Sequence, residues 1–443
     1  MAYSLPRMSV LSTAVVGGLL VGCPLANAGL TSAHFAGLLA INAKVATVSN
    51  CDDNVVSDPP IVGSLREAVA NAKDGDVIDL GSLACSTITL KAGEILVDQP
   101  TLTIRGRSAQ SLRISGSKVS RVIAHAPAGA GQLTISNLTL ADGYIFSEST
   151  RVVGGCIAST SDLLLDHAEV KQCIARSNAG AAGGGVYAGG TAVLLSSNVS
   201  GNSVISVKDS VVGGGVSASK LTAKYSSITG NTAYGSYSQG GGAWCATHAL
   251  ISRSTIAGNF SNGDGGGIYF LNNSTLTSST ISGNVANFHG GGIGAAQQAI
   301  AYVSNSTIVS NYAYYNGGGI HANTLVLNSS IVAGNIGGYS QKTKSDIVGS
   351  EVTGANNVVV ASSASLPPGT ITDAPMIGPL QFNGGPTKTH ALLPGSPAIG
   401  HGDNPSSLLW DQRGVGYPRT TSSLADIGAY QYDSIFADRF GDP

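Results

Sequence analysis

Through the middle of the chain, hydrophobic and polar positions alternate in runs of only a few residues, as in Leu276 to Ile281 and Tyr302 to Val309, each run bounded by glycine or asparagine. Val, Ile, Thr and Ser dominate these runs, which is the pattern of short strands, and no stretch between them has the period of an amphipathic helix. The runs recur. A Gly-Gly-Gly-hydrophobic tetrad opens at Gly183, Gly213, Gly240, Gly265, Gly290 and Gly317, and the strand pattern after each closes on asparagine, at Asn202, Asn231, Asn259, Asn284, Asn311 and Asn335. Successive asparagines lie 29, 28, 25, 27 and 24 residues apart, a self-similarity that marks stacked repeats. A block of this size holds about three short strands with their corners, and in-register stacking sets equivalent residues about 4.8 Å apart.

The expected fold is therefore all-β: a right-handed, single-stranded parallel β-helix with an N-terminal helix cap and a C-terminal capping or anchor module. Glycine suits the corners because it takes positive φ at little cost and lets neighbouring backbones approach. Asparagine tolerates the left-handed region, and its stacked amides can hydrogen-bond along a ladder. Composition agrees, with 60 glycines in 443 residues and only 11% charged residues, since a solenoid has little use for charged surface helices. It also grows by adding coils, so its length does not require several compact domains. The formal net charge of −2 and the absence of a basic run argue against nucleic acid as a ligand. The glycine triplets recur too often, and without a following helix, to be phosphate loops.

The chain divides into a signal segment (1–28), a cap with the first coils (29–106), the repeats (107–365), a C-terminal module (366–432) and a tail (433–443). The first segment has one arginine, Arg7, an apolar stretch from Val10 to Val21, and Ala26-Asn27-Ala28 as a cleavage signal, which reads as a secretory leader. Leu20-Val21-Gly22-Cys23 reads alternatively as a lipobox, in which Cys23 would carry a lipid anchor. No transmembrane span is expected elsewhere. Near the N-terminus, Ser64 to Ala72 has the signal of a short helix, with Ser64 as N-cap and Glu67 as its capping-box partner.

Three segments resemble known groups. Ser64-Leu65-Arg66-Glu67-Ala68 followed by Gly75-Asp76-Val77-Ile78 is similar to the CSLREA segment of secreted bacterial β-helix proteins, with Gly63 where that motif has cysteine. Ala374 to Asp403, with Asp411 to Arg419 and Ala425 to Tyr430, looks like the choice-of-anchor Q domain. The repeats resemble those of polymorphic outer membrane proteins. These resemblances imply a pectin lyase-like fold, export, and a secreted or outer-membrane-associated location, and they leave activity undefined.

Cleavage after Ala28 would leave five cysteines, Cys51, Cys85, Cys156, Cys173 and Cys245, so at least one thiol is unpaired. Cys51 and Cys85 flank the cap and are candidates for a disulfide there. Cys156 replaces the third glycine of a triplet and Cys173 takes a ladder asparagine's position; whether they bond depends on how close those corners come. Cys245 reads as a packed thiol. No spacing resembles a metal site, and no metal or cofactor is expected.

Candidate chemistry is sparse. The acidic residues of the repeats, Asp162, Asp166, Glu169, Asp209 and Asp264, do not recur at one-coil spacing, so the stacked carboxylates of polysaccharide lyases and hydrolases are missing. The best polar column precedes the triplets, Gln239, Asp264, His289 and Asn316. In it Asp264 and His289 are the weak catalytic candidates, a carboxylate beside an imidazole whose pKa it would raise. Trp244, Tyr269, Tyr312, Tyr314 and Tyr315 are the ligand-binding candidates, since rows of rings can stack on sugars or on a protein. Asp74, Asp76, Asp403, Asp411, Arg413 and Asp426 read as structural turn residues. The function expected is a structural or adhesive surface protein whose partner is a polysaccharide or a surface protein, with a polysaccharide lyase or glycoside hydrolase as the alternative.

Overall fold

The computed structural model describes residues 43–53, 61–339, 343–421 and 424–432. The leader, the lipobox with Cys23, and the tail from residue 433 lie outside these. The described residues form one right-handed parallel β-helix of about 11 turns, and the only helix among them is Leu65–Asn71.

The coils between Tyr144 and Gln239 add a two-residue strand before the triplet to the four short strands that the following coils carry, where the repeat length had suggested about three. In one of those following coils the four are Ala249–Ser252, Thr255–Ala257, Phe260–Ser261 and Ile268–Phe270. Stacking generates four faces: face A follows the triplets, then face B, face C after a corner, and face D after the ladder asparagine. The fourth strand arises because A and B meet at a shallow bend; in Val186–Leu195 and Val216–Lys224 the two run together as one strand. The core is an aliphatic stack in register, most plainly on face C, where Ile228, Ile256, Ile281, Ile308 and Val332 lie one above another and none is more than 1% exposed.

Glycine triplet and asparagine form one device. The first glycine of each triplet has positive φ, from 61° at Gly154 to 70° at Gly240. A side chain on the second would strike the next coil's backbone: a Cβ on Gly214 would sit 2.1 Å from the Gly241 carbonyl. A side chain on the third would strike the ladder asparagine of its own coil, 2.8 Å from Asn259 at Gly242 and 3.0 Å from Asn284 at Gly267. The space released there admits a buried amide. Asn259 accepts from the backbone N–H and side-chain Nδ2 of Asn231 at 2.9 and 3.0 Å, and donates to Ile228 O and to Asn284 Oδ1, both at 2.9 Å. The pattern repeats from Asn202 to Asn335. It ends on Asp346, fully buried, whose carboxylate accepts from Asn335 N and Nδ2 at 2.8 and 2.9 Å and from Ala361 N at 2.9 Å. At the other end Cys156 and Cys173 occupy the third-glycine and asparagine positions of one coil and are disulfide-bonded. A disulfide thus replaces the amide where the ladder begins, and Cys173 N donates to Asn202 Oδ1 at 3.0 Å.

A serine ladder stabilises the corner between B and C. Ser197, Ser226, Ser254, Ser279 and Ser306 each donate a backbone N–H to the hydroxyl of the serine one coil on, at 3.1–3.2 Å. The residue before each serine takes positive φ without being glycine, as Tyr225, Arg253 and Ser278 show at 51°, 47° and 46°.

At the N-terminal end, Ser64 Oγ accepts from Glu67 N, while the Glu67 carboxylate accepts from Gly63 N rather than from the cap's own N–H. Arg66 anchors the helix, donating to both Asp53 oxygens at 2.8 and 3.0 Å and to the carbonyls of Gly93 and Glu94. The Cys51–Cys85 disulfide lies beside it. The other end is covered by residues 360–371, which pair with the last coil through Ile371 with Val358 and Ser362 with Ile347.

The C-terminal module departs from expectation, because it returns along the flank instead of capping the end. It lies over the outer side of face C, where Thr255, Thr280, Ser282, Thr307, Val309 and Ile331 are buried beneath it. Gln412 is the central contact, donating to Thr255 Oγ1 at 3.1 Å and accepting from Thr280 Oγ1 at 2.6 Å. His390 Nε2 meets Ser282 Oγ at 2.9 Å, and Ala429 N donates to Thr307 Oγ1 at 3.0 Å. Arg413, held by Asp411 at 2.7 Å, is sandwiched between the rings of Tyr417 and Tyr430 at 4.0 and 3.8 Å. Asp411, Arg413 and Asp426 are thus buried members of one network and not simple turn residues.

Two predictions follow from the ladder and the cap. Asn284→Ala leaves the buried backbone N–H of Asn259 without its acceptor and removes one bond each from Asn259 Nδ2, Ile256 O and Asn311 Oδ1, and should cost about 3 kcal/mol, read as a lowered denaturation midpoint with the β signature retained. At Asp53, burial opposes the charge, but the Arg66 guanidinium and the backbone N–H groups of Lys91 and Ala92 outweigh it and hold the carboxyl below its ordinary value. A depressed pKa gives stability that is present above the unfolded value, about 3.9, and is lost as pH falls through the lower folded value. Proteolysis of the cap should therefore accelerate below about pH 4, and Asp53→Asn should show that faster cleavage already at neutral pH.

Candidate functional site

Two neighbouring features stand out at the junction of faces D and A, on the coils from about residue 234 to residue 348. The first is a cleft on the face A side. Its volume is about 450 Å³, and Asp264, Tyr269, His289, Gly294, His321 and Asn323 are among the residues lining it. Strand register builds it. Trp244, Tyr269, Gly294, His321 and Val348 stack on successive coils of face A, and the column before the triplets pairs Gln239 with Asp264 and His289 with Asn316. Gly294 forms the gap: a Cβ there would lie 2.8 Å from the Tyr269 ring.

Asp264 and His289 come together as neighbours in a hydrogen-bonded corner, with no bond between carboxylate and imidazole. Asp264 Oδ1 accepts from the backbone N–H of His289 at 3.0 Å, and Oδ2 accepts from the Tyr237 hydroxyl at 2.8 Å. The imidazole turns the other way. Its Nδ1 bonds to Asn316 Oδ1 at 2.7 Å. The ring stacks on His321 at 4.7 Å with an interplanar angle of 23°. Burial, and then the neighbouring His289, push the His321 imidazole down, while Asp264 partly opposes them. Burial and the Asp264 hydrogen bond push the Tyr237 hydroxyl up to about 12. The cleft thus offers the His321 imidazole, which burial favours in its neutral form, one carboxylate and the buried Tyr269 phenol, with the Tyr237 hydroxyl bonded to that carboxylate at its edge. Among the described residues, no three His, Cys, Asp or Glu side chains gather as metal ligands do.

The second feature is an aromatic ridge. Phe288 and Tyr315 stack at 5.4 Å and 8°, Tyr314 meets Tyr315 edge-on at 5.6 Å, and Tyr339 closes on Tyr314 at 5.0 Å. Tyr315 is 43% exposed and Tyr339 68%, an unusual outlay of apolar ring in solvent. The five aromatic candidates do not form one platform. Tyr314 and Tyr315 belong to the ridge. Tyr312 is half-buried within face D, between Val285 and Ile336. Trp244 and Tyr269 stand on face A, where the indole N–H donates to Gln239 Oε1 at 3.2 Å and Tyr269 is almost wholly buried. Tyr339 escaped the sequence reading because its coil lacks a triplet. Cys245 is a buried thiol held protonated by burial.

No family model and no curated protein matches the chain. Among solved structures it is similar to the crystal structure of pectate lyase Pel9A, at 14% identity and a TM-score of 0.50, over 89% of this chain and 98% of that one. That likeness shows the fold. The chain is a right-handed parallel β-helix. Among the described residues no helix is long and apolar enough to cross a membrane.

The electrostatics of the cleft are open to direct measurement. His321 should titrate below the ordinary histidine value of about 6.5 when followed by its ring proton shifts. Since the Asp264 charge raises that pKa, Asp264→Asn should lower it further.

Proposed function

We propose that this is an exported β-helix that binds polysaccharide through the aromatic ridge, in a structural or adhesive role at the cell surface or outside it. The observation that carries this reading is the exposed ring cluster of Phe288, Tyr314, Tyr315 and Tyr339 on a rigid coil edge. Exposed rings cost solvation unless a partner covers them, and sugar rings present C–H faces that fit them. Export rests on the leader pattern at residues 1–28, with Cys23 acylation as the alternative form of attachment.

A second reading, polysaccharide cleavage, is favoured by one arrangement: Asp264, His289 and His321 share one cleft beside the ridge. Paired-carboxylate hydrolysis is not supported, since Asp264 is the one carboxylate lining that cleft. A neutral imidazole taking a proton from a sugar carbon would instead suit a lyase. The fold neighbour's title as a pectate lyase makes pectate one substrate to include.

Purified mature protein passed over a panel of neutral and acidic polysaccharides, with and without calcium, should show retention without new reducing or unsaturated ends. Tyr315→Ala should weaken that retention. Turnover that disappears in a folded His289→Ala variant would replace the adhesive reading with the catalytic one, and an absence of retention on every glycan would sink both.

A further inference from the structure

The ridge borders a second hollow, on its face D side, away from the cleft. Its volume is about 310 Å³, and its walls are Ser236, Asn262, Asn287, Phe288, Tyr314 and Tyr315. The strand register gives it an order. Phe260 lies over Thr232 and under Val285, which in turn lies under Tyr312. Two residues on, four successive coils therefore present Tyr234, Asn262, Asn287 and Tyr314, linked by the backbone bonds Asn262 N to Ala233 O, Asn287 N to Ser261 O and Tyr314 N to Ala286 O, each 2.9 Å. An aromatic ring stands at each end and two amides stand between, at a pitch of about 4.8 Å per coil.

The amides are fixed by their neighbours and still have capacity to spare. Asn287 Nδ2 donates to Asn262 Oδ1 at 2.8 Å, and Asn262 Nδ2 donates to Gly235 O at 2.7 Å. An amide group has two donor hydrogens and an acceptor oxygen, so each Nδ2 keeps a second hydrogen and Asn287 keeps its oxygen. Both side chains are only partly buried. Oriented donors and acceptors flanked by rings match hydroxyl groups around an apolar ring face. None of the six lining side chains carries a charge, and the residue whose carbonyl accepts the Ser236 N–H at 3.2 Å is an acid, Asp209. A sugar carboxylate held between Asn262 and Tyr314 would find no cation to replace its lost hydration; the first cation along the column is Arg176, two coils below Tyr234.

We infer that the column Tyr234, Asn262, Asn287 and Tyr314 is a binding subsite for an uncharged glycan, lying along the solenoid axis with sugar rings stacked on the two tyrosines and hydroxyls bonded to the two amides. This rests on the polysaccharide reading and narrows it, setting the ligand class apart from the acidic polymer named for the fold neighbour. The amides select hydroxyls and the missing cation rejects uronates, so the subsite discriminates by charge as well as by shape.

The test uses the full mature protein on matched gels of a neutral β-glucan or mannan and of polygalacturonate, together with Tyr234→Ala, Asn287→Ala and Tyr314→Ala variants. Tyr234 is 52% exposed, so its replacement keeps the experiment interpretable even if a change at Asn287 disturbs the coil. Circular dichroism and the melting midpoint confirm the fold of each. The expected result is retention on a neutral glycan and none on polygalacturonate, with retention falling roughly five- to tenfold in each ring variant and also in Asn287→Ala. Retention on polygalacturonate alone would overturn the subsite while leaving the polysaccharide reading in place, as would retention on the neutral glycan that folded Tyr234→Ala and Tyr314→Ala leave unchanged. Retention on neither gel nor on any other glycan would overturn both.

Discussion

The contact between the third glycine of a triplet and the ladder asparagine of the same coil sets the geometry of everything else. The asparagine amide can enter the interior only because the glycine opposite has no side chain, and once inside it must be fully hydrogen-bonded or it would destabilise the coil. Within the ladder a neighbour of the same kind directly above and below satisfies it. Register is thereby fixed to the residue, which an aliphatic stack alone would not do, since a shifted pairing of Val and Ile columns loses little. The column is also polar, with each amide donating toward the C-terminal end, and Asp346 supplies the acceptor with which it terminates. Burial pushes the Asp346 carboxyl up while the N–H donors of Asn335 and Ala361 favour its charged form. Its oxygens accept from Asn335 N, Asn335 Nδ2 and Ala361 N, and these donors work against that burial. At the opposite end the Cys156–Cys173 bond occupies the same pair of positions, substituting a covalent link where the ladder has no amide below.

A rigid register has consequences for where chemistry can sit. The returning C-terminal module occupies the outer side of face C over the coils from Thr255 to Ile331, which removes that flank from contact with any large ligand. The corner between faces D and A stays open on the same coils, and both the cleft and the ridge lie there. In this chain the module acts as a lengthwise brace through Gln412, His390 and the Arg413 sandwich, so its buried residues account for stability.

Much of this was legible in the sequence, because the device that sets the register also leaves the strongest repeat. Triplets and asparagines gave the coil count in the body and the stacking of Asp264 beside His289. The orientation of those two side chains was not legible, since a backbone N–H and a phenol compete for the Asp264 carboxylate and spacing says nothing of which partner wins. The covered flank did leave a trace that went unread. Outward positions on face C change from Glu169 and Lys171, Asn198 and Ser200, to Thr307 and Val309, Ile331 and Ala333, the shift from solvated to buried that a packed module requires. The serine ladder was equally visible as a Ser before the outward strand of every coil from Ser197 to Ser330. It was passed over because serine is unremarkable in a strand-rich chain. The third residue after Asn231, Asn259, Asn284 and Asn311 reads Tyr234, Asn262, Asn287, Tyr314, a column that periodicity alone could have exposed.

Loop length decides why the polar columns form on these coils and not on earlier ones. The segment from ladder asparagine to the next triplet runs from Asn202 to Gly213 and from Asn231 to Gly240, but only from Asn259 to Gly265, Asn284 to Gly290 and Asn311 to Gly317 in the coils that hold the cleft and most of the hollow; the longer corner adds Ser236 to the hollow and Tyr234 to its column. Tyr234 is still in register with the coil before it, and the extra length of that corner comes after it. The shorter corner has no slack, so every residue in it is bound to its counterpart one coil away, as in the chain of bonds from Phe288 N to Gly263 O and from Tyr315 N to Phe288 O. Side chains there lose little further freedom when a ligand arrives, and that pre-organisation lowers the entropic cost of binding. A polymer lying along the axis would meet the same spacing at each coil, which a repeating ligand matches and an isolated small molecule does not.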